Sequence, residues 1–143
     1  MRAENDPESL QKELPVLFCP YCALENDPDN NILFRNELAL YVENEKYQGA
    51  LRNSGVIIPL QHRITVFDLT PEEITATFDL LKTVKSWMDD NLQPDGYNVG
   101  WNCEKVGGQT VFHAHMHVIP RFADEPLAEE GIRSLLKSDK NLR

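Results

Sequence analysis

The sequence has no long apolar run and few residues of several informative kinds. No apolar stretch approaches the roughly 20 residues that a membrane-spanning helix requires, so no membrane span is predicted. The opening stretch, MRAENDPESLQKELP, is acidic and lacks an apolar segment, and it is not expected to be a signal peptide. These absences predict a cytoplasmic protein.

Basic residues are also scarce. The chain has 14 Lys and Arg against 23 Asp and Glu, which gives a net charge of −9. Such a chain is not expected to bind nucleic-acid backbones in general, because that binding requires a basic surface. A small anionic ligand remains compatible with this charge, since backbone N–H groups and a few local donors can hold one.

Only three cysteines occur, and Cys19 and Cys22 form the C-x-x-C sequence CPYC. An odd number of cysteines without an export signal argues against a disulfide framework. The pair can be a redox couple, half of a zinc site, or two free thiols in a turn. A redox couple would stand at the start of a helix in a βαβ unit, which the sequence does not show. Cys103 is predicted to be a buried strand residue without a functional role.

The 143 residues predict a single α+β domain with a mostly antiparallel sheet. Strands are predicted in NNILFRNELALYVEN, VIIPLQH, YNVGWNCE and TVFHAHMHVIP. The clearest helix starts at a capping box of Thr70 and Glu73, with Pro71 in the first helical position. Apolar residues at 3- and 4-residue steps form its predicted core-facing stripe: Ile74, Phe78, Leu81, Val84 and Met88.

Three of the four histidines, His113, His115 and His117, alternate with apolar residues in FHAHMHV. On a strand they would share one face, with about 6.6 Å between successive residues. The resulting span of about 13 Å is too long for one zinc ion with Zn–N bonds of about 2.1 Å, so the three are expected to divide their roles. One end of the row could complete, with the CPYC cysteines and His62, a closed Cys2His2 zinc site.

The turn before the histidines, VGGQT, is suited to phosphate. Its glycine backbone, the Gln109 amide and the Thr110 hydroxyl can all contact phosphate oxygens. A neutral imidazole with a pKa of about 6.5 is a competent nucleophile near neutral pH. Attack on phosphorus would give a phosphoramidate, which is a two-step route for hydrolysis or nucleotidyl transfer.

The stretch GGQTVFHAHMHVIPR resembles the signature of the histidine triad (HIT) family, His-φ-His-φ-His-φ-φ with φ an apolar residue. VIIPLQHRITVFDLTPEE is similar to the family's strand, IPxxH turn and helix start, and YNVGWN is similar to its penultimate strand. CPYC is similar to a cysteine pair near the start of many bacterial members. The resemblance implies a HIT-like fold with a mostly antiparallel sheet of about five strands, one long helix and a C-terminal extension.

By this resemblance the domain covers residues 17–122. A flexible arm of residues 1–16 is predicted before it, and a tail of residues 123–143 with a short helix near GIRSLLK is predicted after it. The resemblance also implies a homodimer built through the long helix and a strand beside it.

The resemblance assigns roles to the histidines and the residues near them. His115, the middle histidine, would form a covalent nucleotidyl intermediate at the α-phosphate, and His117 would contact the phosphate or the leaving group. Asn102 stands where the family has an amide near the leaving group. Gln109 and Thr110 match the phosphate-contacting turn.

In zinc-bearing members, the metal ligands correspond to Cys19, Cys22, His62 and His113 of this chain. The resemblance therefore implies a structural zinc ion as cofactor. It agrees with the closed site that the residues themselves suggest.

The loop RNSG departs from the Pro-Gly-His or Pro-Gly-Thr of many relatives, and the nucleoside pocket depends on that loop. Glu45 is predicted to meet the ribose hydroxyls, with Asn44 as the alternative. Ile32 and Phe34 are candidates for the base pocket or, equally, for ordinary core packing.

Three functions follow from the resemblance. The leading one is a hydrolase acting on a dinucleoside polyphosphate, such as diadenosine tetraphosphate, or on a related nucleotidyl ester. The second is a nucleoside phosphoramidase, and the third is a zinc-stabilised nucleotide-binding module without turnover. A uridylyltransferase is disfavoured, because 143 residues correspond to about one family domain and those enzymes have two.

Overall fold

The computed structural model describes residues 19–143, so the predicted arm lies outside the described residues. Five strands form one antiparallel sheet in the order β1-β2-β3-β5-β4, namely β1 Asn31–Arg35, β2 Ala39–Glu43, β3 Gly55–Pro59, β4 Gly96–Trp101 and β5 Met116–Arg121. The helices are α1 Glu45–Gln48 and α2 Pro71–Asn91, with 3-10 turns at Leu24–Asn26, Val66–Asp68 and Asp139–Asn141. The predicted α+β class, with five strands and one long helix, is confirmed.

The two faces of the sheet are covered by different parts of the chain. Helix α2 packs its residues Val84 and Met88 against Tyr41, Ile57 and neighbouring side chains in the main core. Alternate strand residues point the other way, where Leu24, Leu40, Val42 and Ile58 form a second cluster.

The pairing of residues between strands shows that one residue of the triad lies on this second face of the sheet. Val42 of β2 pairs with Val56 of β3, which pairs with His117 of β5. His117 therefore lies on the face of the sheet that α2 leaves open.

The capping box of α2 is present as predicted. The Thr70 side chain accepts a hydrogen bond from the Glu73 backbone N–H at 3.1 Å, and Glu73 Oε1 accepts one from the Thr70 N–H at 2.8 Å. Pro71 occupies the first helical position. These local bonds explain why the start of this helix can be read from the sequence.

The predicted core stripe of α2 is partly wrong. Ile74 and Phe78 are 41% and 46% exposed, and the helix instead buries Glu73, Thr77, Leu80, Val84 and Met88. The Glu73 carboxylate is 3% exposed and holds Arg63 Nε at 2.9 Å. The buried face of the helix is thus displaced by about one residue from the predicted stripe in its first turns, and only the last two predicted core residues are fully buried.

The histidine stretch is not one long strand, contrary to the prediction. Strand β5 begins at Met116, where its pairing with Trp101 of β4 also ends. Upstream, the Ala114 N–H donates to the Arg63 carbonyl at 2.6 Å instead of to β4. His113 and His115 therefore lie in a loop before the strand and need not share the face of His117.

Cys103 is half-buried and follows the end of β4, so its prediction as a buried strand residue is wrong. The predicted short helix near residues 131–137 is also absent; that stretch consists of turns, such as Ser134 N–H to the Gly131 carbonyl at 3.1 Å. A segment this short gains little from helix formation by itself. Arg121 anchors the tail, with Nε 2.9 Å from Glu125. Within the described part of the chain no helix is both long and apolar enough to cross a membrane.

Candidate functional site

Four side chains from three separate segments meet beside the sheet: Cys19, Cys22, His62 and His113. Their candidate ligand atoms all lie within 4.8 Å of one another. His62 Nδ1 is 3.3 Å from Cys22 Sγ. His113 Nδ1 is 3.4 Å from Cys19 Sγ and 3.5 Å from Cys22 Sγ. Two sulfur and two nitrogen atoms this close are the donors of a Cys2His2 metal site.

The orientation of His113 is set by the backbone. Its Nε2 lies 2.8 Å from the Pro59 carbonyl, which can only accept, so Nε2–H donates and Nδ1 keeps its lone pair. That lone pair points at the two cysteines. The ring is fully buried, and this burial, with smaller contributions from His62 and His115, lowers its pKa to about 4. A neutral imidazole with its second nitrogen hydrogen-bonded is the form that binds metal.

The donor distances fit zinc. Zinc bonded to sulfur at about 2.3 Å and to nitrogen at about 2.1 Å places neighbouring donors about 3.6 Å apart in a tetrahedron, close to the spacings found here. Burial is the main cause that raises the pKa of Cys22 to about 12, and the hydrogen bond to Cys19 and the charge of Cys19 raise it further. Metal binding would release the proton of the Cys22 thiol. A closed four-donor site of this kind supplies fold stability when it is loaded. The four residues therefore fit a metal site.

His115 is held in the opposite sense to His113. Its Nδ1 lies 2.8 Å from the His113 backbone carbonyl and must donate to it, which leaves the lone pair on Nε2. The side chain is 5% exposed and lines a cavity. Burial, followed by the charge of His117, lowers its pKa to about 4, so the ring is neutral near pH 7. The arrangement is that of a nucleophile with its tautomer fixed.

His117 lies beside His115. The two rings are 4.9 Å apart at their centroids and inclined at 69°. His117 Nε2 is buried and has no hydrogen-bond partner within residues 19–143. Burial lowers the pKa of this ring as well. A buried ring nitrogen without a partner points to a ligand, because such groups are otherwise satisfied in folded proteins.

The cavity that contains these histidines has a volume of about 610 Å³. It lies between the CPYC knuckle (residues 19–22), helix α1 and the open face of the sheet. Tyr21 lines it and sets its ring edge-on to His113 and His115, with centroids 5.9 and 5.2 Å away. Burial is the main cause that raises the pKa of Tyr21 to about 12. Sequence reasoning missed this residue, although its place between the two cysteines was a usable signal.

Of the two turn residues predicted to contact phosphate, only Thr110 lines the cavity. Gln109 is 3% exposed, and both ends of its amide bind the protein backbone. Its Nε2 donates to the carbonyls of Ile64 and Val111, and its Oε1 accepts from the Glu104 N–H. The structure does not support the predicted contact between the Gln109 side chain and phosphate, because both protons of that amide are donated to backbone carbonyls.

Asn102 follows the end of β4 and is exposed. It lies beside Gly108, whose hypothetical Cβ would be 3.6 Å from Asn102 Cγ. It does not line the cavity in this structure. The predicted role of its amide near the leaving group stays a prediction.

The nucleoside-binding prediction needs correction. Glu45 begins α1 and does not line the cavity, whereas the alternative Asn44 and its neighbour Glu43 do. Burial raises the pKa of Glu43, whose carboxylate accepts from Tyr41 at 3.1 Å and from Gln48 at 3.4 Å. Glu43 ends β2 and Asn44 caps α1, whereas Glu45 is already the first residue of that helix.

Neither Ile32 nor Phe34 lines the cavity. Ile32 is 42% exposed, and Phe34 packs against the main core, with its ring centroid 6.0 Å from that of Trp87. The core-packing alternative is therefore the correct one for Phe34.

With the site described, comparison with known proteins gives its class. The model of the HIT domain matches residues 29–124, which is more than half of the chain, and the protein belongs to the HIT domain family. This match confirms the resemblance drawn from the triad sequence. The structure thus combines the family's fold with a Cys2His2 cluster and a histidine-lined cavity.

The chain spans about half the length of the curated relatives it matches first. It is 34% identical over 67 residues to Protein hit of Bacillus subtilis, which is 47% of this chain and 46% of that protein. It is 32% identical over 92 residues to Bis(5'-adenosyl)-triphosphatase of Dictyostelium discoideum, 64% of this chain and 60% of that protein. It is 27% identical over 94 residues to Adenosine 5'-monophosphoramidase hnt1 of Schizosaccharomyces pombe, 59% of this chain and 68% of that protein.

Solved structures share the fold. The protein SMU.412c from Streptococcus mutans is 28% identical with a TM-score of 0.67, over 76% of this chain and 68% of that one. A Zn-bound histidine triad family protein from Mycobacterium smegmatis is 25% identical with a TM-score of 0.65, over 79% of this chain and 81% of that one. The second shows that a member of this family binds zinc.

Proposed function

We propose that this protein hydrolyses a nucleotidyl compound through a covalent intermediate on His115. One observation carries the proposal: the hydrogen bond from His115 Nδ1–H to the His113 carbonyl leaves the Nε2 lone pair free in a buried, neutral ring that lines the cavity. A nucleophile needs an unprotonated atom with a fixed direction, and this bond supplies both.

The reaction has two steps. His115 Nε2 donates its electron pair to the α-phosphorus and forms a P–N bond, while the bond to the leaving group breaks and its electron pair departs with that group. Water then adds to phosphorus, the P–N bond breaks, and Nε2 regains its lone pair as the water releases a proton. The products are a nucleoside monophosphate and the free leaving group.

His117 and Thr110 are the proposed partners of the reacting phosphate. The partnerless Nε2 of His117 can donate to a phosphoryl oxygen or pass a proton to the leaving group. The Thr110 hydroxyl lines the same cavity. Glu43 is the proposed contact to the ribose hydroxyls, in place of Glu45. Asn44 lines the cavity as well, but its amide donates to Asp27 and Asn30 and accepts from the Lys46 N–H.

The leaving group has two candidates. A dinucleoside polyphosphate such as diadenosine tetraphosphate is one, and the named activity of the Dictyostelium relative supports it. The charge of the cavity favours the second, a nucleoside phosphoramidate. None of its described lining residues is Lys or Arg, and of its two acidic residues only Asp27 is ion-paired, with Lys46 Nζ at 2.8 Å, whereas Glu43 is not. A single phosphate with an amine leaving group meets less repulsion there than a polyphosphate does.

The test combines turnover with detection of the intermediate. Purified protein is given dinucleoside polyphosphates and adenosine phosphoramidates, and stopped samples are analysed by intact-mass spectrometry. A mass increase of one nucleotidyl group in the parent, absent from His115→Ala, supports the mechanism. Unchanged hydrolysis by His115→Ala would overturn it. Nucleotide binding without turnover by the parent would instead assign the protein as a binding module.

Zinc is the proposed occupant of the Cys2His2 cluster. The donor set and its spacing support it, as does the zinc-bound relative. Elemental analysis of the purified protein should find about one zinc per chain, with loss of the metal in His62→Ala and in Cys19→Ala. Zinc retained unchanged in both variants would contradict the ligand set.

A homodimer is proposed from the family resemblance. Ile74 and Phe78 leave a partly exposed apolar stripe on α2, which supports an interface on that helix. Light scattering should give a mass of twice 16.4 kDa. A monomer at all concentrations would contradict it.

A further inference from the structure

Gln109 is a buried residue close to the triad, and both ends of its side-chain amide are hydrogen-bonded. Its Nε2 is 2.6 Å from the Ile64 carbonyl and 3.1 Å from the Val111 carbonyl, and its Oε1 is 2.8 Å from the Glu104 N. One buried side chain thus joins its own turn, at Glu104 and Val111, to the segment of Ile64, which is 45 residues away. Because each bond uses a different lone pair or proton, no other residue type of this size can make all three.

Two of these partners adjoin residues of the site. Ile64 lies two residues after the metal donor His62, and Val111 begins the loop that contains His113 and His115. A second bond between the same segments runs from the Ala114 N–H, between those two histidines, to the Arg63 carbonyl at 2.6 Å. The segment around His62 and the loop around the nucleophile therefore form one hydrogen-bonded unit.

The turn that Gln109 closes is held in an unusual conformation. Glu104 has φ 66° and Gly108 has φ 95°, and both values lie in the left-handed region. A side chain at Gly107 would place its Cβ 2.4 Å from the Cys103 carbonyl oxygen, so the turn is also tight. Glu104 and Gln109 bond twice, since the Gln109 N–H also donates to the Glu104 carbonyl at 3.0 Å. Backbone in this conformation persists only when its surroundings determine it.

We propose that Gln109 is a positioning residue that holds the nucleophile His115 and the metal ligand His62 in one fixed frame. Its kinetic consequence rests on the proposed function; its structural consequence does not. The His113 carbonyl fixes the tautomer of His115, and Gln109 fixes the loop that carries that carbonyl. A small displacement of a nucleophile is costly in rate while leaving ground-state binding nearly unchanged.

The experiment uses two substitutions of similar size. Gln109→Glu keeps an acceptor for the Glu104 N–H but loses both donors and sets a carboxylate against two carbonyl oxygens. Gln109→Met keeps the side-chain volume and removes all three hydrogen bonds without adding charge. The same measurements are made on this variant if Gln109→Glu does not fold. Gln61→Glu makes the same amide-to-acid change at an exposed position. Val84→Ala, on the core-facing side of α2, is the control for stability, because it should destabilise the fold at a position away from the site.

Three quantities are measured well below the unfolding temperature. In the Gln109 variants kcat should fall about 10- to 100-fold while KM stays within about threefold. Zinc affinity, from chelator competition, should fall about tenfold or more. Histidine ring ¹⁵N spectra should show His115 protonated on Nδ1 in the parent and as a mixture of tautomers in the variants. Gln61→Glu should match the parent in all three.

Parental kcat, zinc affinity and ring spectra in a folded Gln109 variant would overturn the proposal. So would losses no larger than those of Val84→Ala at the same loss of stability, because a purely structural role predicts that result. If the parent turns over no nucleotide, the proposed function fails, and the ring spectra and the zinc affinity still decide the role of Gln109.

Discussion

His113 and His115 are two residues apart, yet the protein holds their rings in opposite tautomers. His113 donates through Nε2 to the Pro59 carbonyl and turns Nδ1 to the cysteines. His115 donates through Nδ1 to the His113 carbonyl and turns Nε2 to the cavity. Both rings are buried and have lowered pKa values, so burial does not distinguish them. The backbone acceptor of one ring nitrogen decides whether the lone pair of the other nitrogen faces the cysteines or is left on Nε2, as in the proposed nucleophile.

The comparison defines two ends of one site. The metal end is Cys19, Cys22, His62 and His113, whose donors face one another. The cavity end is His115, whose Nδ1 is bonded to the backbone, and His117, whose Nε2 has no hydrogen-bond partner among the described residues. The metal end has the four donors that a metal ion requires, whereas the cavity end is open to a ligand that enters from solvent. Substitutions at each end should therefore separate metal binding from turnover.

The largest effect is expected at the nucleophile. His115→Ala should lower kcat by about 10³-fold or more, because the covalent route is lost. Its zinc content and its affinity for a nucleoside monophosphate should match the parent, since the metal end is intact. Stopped-assay turnover, elemental analysis and calorimetry measure these quantities. Loss of zinc in this variant would show that the two ends are not separable.

The next effect is expected at the metal end. His62→Ala should lower zinc affinity by about 100-fold or more in chelator competition, because a donor is removed. Its thermal midpoint should fall as well, and kcat should fall less than in His115→Ala. Gln61→Ala, at the exposed neighbouring residue, is the matched control and should retain parental affinity. Equal affinities for the two variants would remove His62 from the ligand set.

Substitutions of His117 test whether this residue takes part in turnover together with His115. His117→Ala should lower kcat by about 10- to 100-fold with zinc retained, which is the scale of losing a proton donor or a transition-state hydrogen bond. His117→Gln, which keeps a donor, should recover part of the loss. If Gln and Ala variants have the same kcat, His117 does not act through a hydrogen bond.

The smallest expected effect separates two acidic residues. Glu43→Gln should weaken nucleotide binding by about tenfold, the scale of one hydrogen bond to a charged group. Glu45→Gln, two residues away and outside the cavity, should leave binding unchanged. Calorimetric titration with a nucleoside monophosphate measures both. The reverse order would restore the prediction made from the sequence alone.

Local signals in the sequence predicted a large part of the architecture. The capping box of Thr70 and Glu73 marks the start of α2, and VIIP marks β3, because these features depend on neighbouring residues only. The Cys2His2 cluster could also be predicted, because its cysteines and histidines are rare in this sequence and two of them are closely spaced. Four scarce donors in a chain with four histidines leave few ways to complete a metal site.

Several errors arose where a partner elsewhere in the chain decides a local choice. Glu73 of α2 is buried in an ion pair with Arg63, which the apolar stripe of the helix does not indicate. The Gln109 side-chain amide donates to the carbonyl of Ile64, 45 residues away, so this donor is not available to phosphate. The start of β5 at Met116 depends on the bond between Ala114 and Arg63. None of these partners can be read from spacing along the chain.

The triad shows the division most clearly. Alternation of three histidines in the sequence was enough to indicate that their roles differ, because a regular strand would separate them too widely for one ion. Which nitrogen each ring presents depends on two carbonyls, Pro59 at 54 residues' distance and His113 in the folded loop. Those carbonyls reach the rings only when β3 and the loop before β5 are brought together, so the tertiary structure alone decides the tautomers.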